Sequence, residues 1–184
     1  MIYTNVLCKI MHDAGSVCRS SLAIRLLKQL EGKWSPNSAG LSNQEIDALQ
    51  KIVPSPLPPA LIALYQLADG AHLVADFYLA DSEDFVWFNQ DEEWREEFPG
   101  AIFFALDEGS GIYFIDTFNQ IQHGAGCVYW SDRSWMAPDW CLLYGETVEA
   151  FLENIYAGVD PRSWSYQDRD ELRQKGLSKL NLRR

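Results

Sequence analysis

The sequence predicts an α+β domain: an antiparallel β-sheet meander of about six strands, packed against helices from both ends of the domain. Two stretches carry most of that expectation. Leu57–Gly70, LPPALIALYQLADG, reads as a proline-opened helix that stops at an Asp-Gly pair. Ala101–Phe118, AIFFALDEGSGIYFIDTF, reads as a strand, an acidic glycine-rich turn and a second strand. Further short aromatic and β-branched runs follow in series, without the alternating helices of βαβ units.

The elements can be taken in order. Residues 1–40 form an N-terminal extension, in which Ser20 or Ser21 caps a helix running to about Gly32. Leu22, Leu26, Leu27 and Leu30 share one face of that helix. SPNSAG, Ser35–Gly40, is a loop by composition and marks the boundary with a main domain over residues 41–158. Ser42 and Glu45 make a Ser-x-x-Glu capping box, followed by Ile46, Leu49 and Ile52 or Val53 on one face. Pro54–Pro59 must end that helix, because proline lacks the donor and clashes with the preceding turn. Pro59 then suits the first position of the next helix, whose buried stripe is Leu61, Ile62, Tyr65 and Ala68. Gly70 can take the left-handed conformation that closes it.

Strands are expected at Ala75–Leu79, Phe85–Phe88, Ala101–Leu106, Ile112–Thr117, Gly126–Trp130 and Trp140–Tyr144. The acidic segment between the second and third, NQDEEWREEFPG, reads as a loop or a short helix. A last helix starts near Thr147. Val148, Phe151, Leu152 and Ile155 fall at helical spacing, and Gly158 can cap its end. Residues 159–184 form a basic tail, with a helix over Asp168–Leu182 that Gly176 weakens.

The net charge of −11 is unevenly placed. Asp69–Asp116 holds thirteen Asp and Glu against one basic residue, Arg95, whereas Asp160–Arg184 holds four acids against seven Lys and Arg. An acidic face repels nucleic acid and membrane phosphates and attracts basic proteins. Solubility alone accounts for surface acids equally well. Cys8, Cys18, Cys127 and Cys141 are scattered with no CxxC spacing, which argues for reduced thiols over a disulfide framework or a zinc site. The start of the chain lacks a basic region followed by a long apolar run, and no stretch reaches membrane-spanning length, so a cytoplasmic protein is expected.

No catalytic motif is found. GxSxG, the P-loop, GxGxxG and HExxH are all missing, and Gly109-Ser110-Gly111 is only a tight turn. His12, His72 and His123 lie far apart. The acids do not follow the alternating ligand pattern of an EF-hand, so neither a metal nor any other cofactor is expected. The acids suit a protein-binding edge built from Asp81, Glu83, Asp84, Asp91, Glu92, Glu93, Glu96 and Glu97 with Trp87, together with the Asp107-Glu108 turn. Trp94 and Phe98 are interleaved with them. For any single one of these aromatics, burial in the core is the plainer expectation.

In element order the chain resembles the SUKH superfamily, which includes the yeast Smi/Knr-type cell-wall regulators and many bacterial immunity proteins. The resemblance rests on a capped helix over Glu45–Ile52, then Leu57-Pro58, then a helix ending at Asp69-Gly70. A strand pair carrying Gly111 and Asp116 follows, then a Val-Tyr-Trp strand with Tyr129 and Trp130 and a closing helix over Thr147–Gly158. It covers residues 41–158 and implies a non-enzymatic binding domain. Bacterial members commonly neutralise a toxin, often a nuclease, by direct binding. A basic toxin domain is the implied partner, with no part for nucleic acid or membrane. A regulatory scaffold with several protein partners is the alternative. A small hydrolase or ligand-binding enzyme using His72 or His123 with nearby carboxylates is a weaker one. The sequence leaves the oligomeric state open.

Overall fold

In a computed structural model of the chain, placement is described for residue 25 and for residues 32–159 other than 75, 122 and 136. Apart from Arg25, which is helical, the helix expected from Ser20 lies outside the described residues, as does the one over Asp168–Leu182.

Seven strands form one antiparallel sheet in simple chain order. They are β1 Ser35–Pro36, β2 Ala71–His72, β3 Phe77–Leu79, β4 Ala101–Asp107, β5 Gly111–Asp116, β6 Cys127–Asp132 and β7 Leu142–Gly145. Among the described residues, and beside the helical Arg25, five α-helices accompany it: α1 Asn43–Gln50, α2 Pro59–Leu67, α3 Ser82–Gln90, α4 Glu92–Glu97 and α5 Val148–Tyr156. The α+β meander is therefore present, with one strand more than expected. The loop expected at Ser35–Gly40 gives its first two residues to the sheet edge, where Ser35 faces His72 and Pro36 faces Ala71.

Local chemistry explains the helix ends. The Ser42 hydroxyl accepts from the Glu45 N–H, and the Glu45 carboxylate accepts from the Ser42 N–H at 2.7 Å, which is the expected capping box. Those bonds from Ser42 hold the Glu45 carboxyl below its ordinary range. Pro59 opens α2. Gly70 does adopt φ +74°, but it does not close α2: the chain leaves that helix at Ala68, in extended conformation. Gly158, at φ +72°, closes α5 as expected. Its N–H bonds Ile155 O and the Val159 N–H bonds Asn154 O, a paired closure of the last turn.

One expected strand is absent. Phe85–Phe88, read as a strand, is the middle of α3. Its composition is β-like, but its context is a helix start. Asp81 caps it by accepting from Asp84 N–H at 2.9 Å, and Glu83 and Asp84 fill the first turn. Phe85 and Phe88 are buried at helical spacing, while Trp87 faces out. Asp91 then ends α3 and caps α4, accepting from Trp94 N–H at 2.8 Å. The acidic segment that read as loop or short helix is thus a helix.

This helix pair completes the packing. Alternate residues of β4–β7 enter two separate cores. Ile102, Phe104, Tyr113, Ile115, Val128, Trp130 and Tyr144 join α1, α2 and α5 on one face. Phe103, Ile112, Phe114, Tyr129 and Leu143 join Phe88, Trp94 and Phe98 on the other. Phe88 stacks on Phe103 at 4.0 Å between ring centroids, and Trp94 meets Phe114 edge to face at 5.2 Å. Trp94→Ala should therefore destabilise the protein by about 3–5 kcal/mol. Trp87→Ala, on the outer side of the same helix pair, should stay within about 0.5 kcal/mol. Urea denaturation of both variants measures the difference, and equal losses would contradict the assigned layers.

Candidate functional site

The sequence-picked acids divide into three kinds. Asp81 and Asp91 are half-buried caps whose carboxylates already hold backbone N–H groups. Glu83, Asp84, Glu92, Glu93, Glu96 and Glu97 are exposed on α3 and α4 with Trp87, which is 61% exposed. Within the described residues, none of these six carboxylates is in a salt bridge. Partial desolvation, then the neighbouring Asp81 and Glu83 charges, raise the Asp84 carboxyl above its ordinary range, with Arg133 opposing.

Asp107 is the third kind and corrects the expectation of a surface contact. It is buried, and its carboxylate accepts from Gly109 N–H at 2.8 Å, Gly111 N–H at 3.0 Å and the Trp130 indole N–H at 3.2 Å. Glu108 is exposed but engaged, accepting from the Tyr78 hydroxyl at 2.5 Å. That bond pushes the Tyr78 phenol up to about 12. α4 leads into the start of β4 and this turn follows its end, so the strand holds them about 20 Å apart. Arg133 stands between α3 and the turn. Its N–H donates to Ser110 O at 2.8 Å, and its guanidinium lies 4.6 Å from the Phe88 ring centroid. The expected acidic edge is therefore two patches with a cation between them, and the α3–α4 face is the larger. Arg133 carried no signal in the sequence, because only the sheet register brings it there.

The remaining motif residues are fixings. Leu57 is buried, and its N–H donates to the Gln50 side chain at 2.6 Å, clipping the proline loop, while Pro58 takes the N-cap position of α2. The Asp69 carboxylate accepts from Ser82 N–H at 2.6 Å and Ser82 hydroxyl at 2.8 Å, which ties the end of α2 to the start of α3. A Cβ on Gly70 would meet the Asp81 side chain at 2.8 Å. Asp116 is buried and accepts from Phe118 and Ile121 N–H, which shapes the loop before β6. Tyr129 is buried, its hydroxyl 3.1 Å from His123 Nδ1, and burial raises its phenol far above the ordinary range. Gly111 has the closest approach: a Cβ there would lie 1.9 Å from Asp107 Oδ2 and 2.2 Å from Trp130 Nε1.

His72 sits on β2 against the Tyr78 ring, and His123 is exposed in the loop before β6, so the two are not part of one cleft. Burial raises the Cys127 thiol, which disfavours a reactive thiolate. Among the described residues no group of three or more His, Cys, Asp or Glu is arranged to hold a metal ion. No helix among them is long and apolar enough to cross a membrane.

A two-sided antiparallel meander, flanked by paired N-terminal helices and a closing helix, with its polar motif residues spent on turns, defines an α+β meander class of fold. The chain belongs to the SMI1 / KNR4 family (SUKH-1), whose model matches residues 40–154. Domains of that family bind partner proteins, and membership is consistent with an immunity-protein-like role. None of the curated proteins is a significant match.

Gly111→Ala should cost about 1–3 kcal/mol, because the new methyl must displace Asp107 or Trp130. Near-UV circular dichroism of the buried indole, followed through thermal unfolding, checks this. An unchanged melting curve would contradict the Asp107–Trp130 link.

Proposed function

We propose that this chain is a non-enzymatic protein-binding domain that acts as a bacterial immunity protein. It binds a basic toxin domain, such as a nuclease, through the α3–α4 face and neutralises it in the cytoplasm. Residues 41–158 are the binding domain, and residues 1–40 and 159–184 are appendages to it.

One observation carries this reading. Four of the exposed acids have a local reason to be where they are. Glu83, Asp84, Glu92 and Glu93 lie in first helical turns, where a carboxylate is favoured by the helix dipole. Glu96 and Glu97 lie in the last turn of α4, where the dipole disfavours a carboxylate. Solubility does not require acids at that spot. A partner with the opposite charge does, since a nuclease must be basic where it holds nucleic acid and a strongly acidic inhibitor gains a fast, steered encounter with it.

The two explanations separate experimentally. Glu96→Lys with Glu97→Lys should leave thermal stability unchanged or slightly raised, since the dipole then favours the new charges. The same change should slow association with a captured partner by about tenfold and flatten its salt dependence. Pull-down from the native host at low and physiological salt, read by mass spectrometry, supplies the partner, and stopped-flow mixing supplies the rate. An association rate unmoved by the reversal would sink the acidic-face reading. Several unrelated partners would favour a regulatory scaffold instead.

A further inference from the structure

Trp87 is the one large aromatic of α3–α4 that faces solvent, although Phe85, Phe88, Trp94 and Phe98 on the same segment are all buried. Its helical neighbours at i−4 and i−3 are Glu83 and Asp84, so carboxylates lie beside the indole along one side of the helix. Ser82, Glu83, Val86, Trp87 and Gln90 line a shallow, mainly apolar groove. One residue further on, the protein shows what this setting attracts. Trp87 meets the Phe88 ring at 4.7 Å, and the guanidinium of Arg133 lies 4.6 Å from that ring's centroid, close enough to Asp84 to act on its charge. Aromatic face, neighbouring carboxylate and guanidinium already occur together here.

We infer that the α3 groove is an anchoring site for an arginine side chain of the basic partner, with the guanidinium stacked on Trp87 and forked onto the Glu83 carboxylate. This rests on the protein-binding reading above and adds the residue type that the partner must present. Charge complementarity selects a cation. Arg95 is the one basic residue on α3 and α4, against six exposed carboxylates. The exposed indole then selects among cations. A guanidinium is planar and weakly hydrated, so it stacks on an aromatic face and bonds a carboxylate through two parallel N–H groups. An ammonium is a compact, strongly hydrated charge that gains less from the ring.

The test uses the full chain with oligoarginine and oligolysine peptides of equal length. Binding is followed through the Trp87 indole N–H resonance, which is assigned by its loss in Trp87→Phe. Oligoarginine should bind about tenfold more tightly than oligolysine. Trp87→Ala and Glu83→Gln, read from the remaining resonances, should each erase that preference. Glu97→Gln, on α4, should weaken both peptides together and keep the preference. Equal affinity for the two peptides, or a preference that survives Trp87→Ala, would overturn the arginine anchor. If the Glu96–Glu97 reversal still slowed the captured partner, the acidic-face reading would stand without it. A Trp87 resonance that shifts when Arg169 and Arg173 become Ala, with no peptide present, would assign the groove to the chain's own basic tail. One that shifts with protein concentration would assign it to a second copy. Either result would also overturn the proposal.

Discussion

The structure depends on one constraint: β4, β5 and β6 are apolar on both faces, so the sheet must be covered twice. AIFFAL and IYFI carry no alternation of polar and apolar residues, and every residue of Gly111–Asp116 is buried. A strand of that kind cannot leave one side to water. The helices from the two ends of the domain cover only one face. The second cover has to come from within the meander, and α3–α4 supplies it between β3 and β4. Once Phe88, Trp94 and Phe98 are spent on that face, the outer side of the pair is set by the helical period. The acids and Trp87 point outward because the aromatics beside them point inward.

The same insertion solves a backbone problem. β3 is only three residues long, so it pairs with β4 at Leu79–Ala105 and then ends. Phe103 would be left without a partner strand on that side. Asn89 of α3, itself buried, takes the place of the missing strand. Its amide donates to Phe103 O at 3.0 Å, and its carbonyl accepts from Phe103 N–H at 3.0 Å. Buried backbone groups without partners would each cost about 1–3 kcal/mol, so a side-chain amide here is worth more to the fold than another apolar residue. Ala80 N–H, bonding Phe104 O at 3.0 Å, carries the seam further.

Most of the meander was legible in the sequence because its signals are local. The Ser42–Glu45 box, Pro59 at the start of α2, Gly158 after α5 and the runs at Ala101–Phe118 each state their own structure. At Phe85–Phe88 the helical context outweighs the strand-like side-chain types. Aromatic and β-branched residues suit a strand only where strand partners exist. The helix signal lay just before them, in Asp81 with acids in the following turn. The burial of Asp107 is illegible for a different reason. Its neighbours Glu108 and Gly109 read as an exposed turn, and only the register of Gly111 against Asp132 and Tyr113 against Trp130 brings the indole over its carboxylate. Arg133 follows from the same register. Such residues are illegible one segment at a time, since their partners are more than twenty positions away.

The residues that carry the resemblance to the family therefore say little about which partner is bound. Asp69, Gly70, Gly111, Asp116 and Trp130 have their polar atoms or close approaches taken up inside the fold. On the proposed reading, partner choice then lies in residues the fold does not use, and among the described residues α3–α4 carries six exposed carboxylates and Trp87. Charge and anchor divide the work there. Acids one turn or less apart on each short helix lie within about a Debye length, roughly 8–10 Å, so each group acts on an approaching cation as one field. That field raises the encounter rate but holds a partner loosely, because exposed pairs are worth little once formed. Retention needs a desolvated contact, and on this face Trp87 is the residue with the area to provide one. On the proposed reading, a surface with steering but no anchor would release its partner as salt rises. One indole among the acids is the smallest change that prevents it.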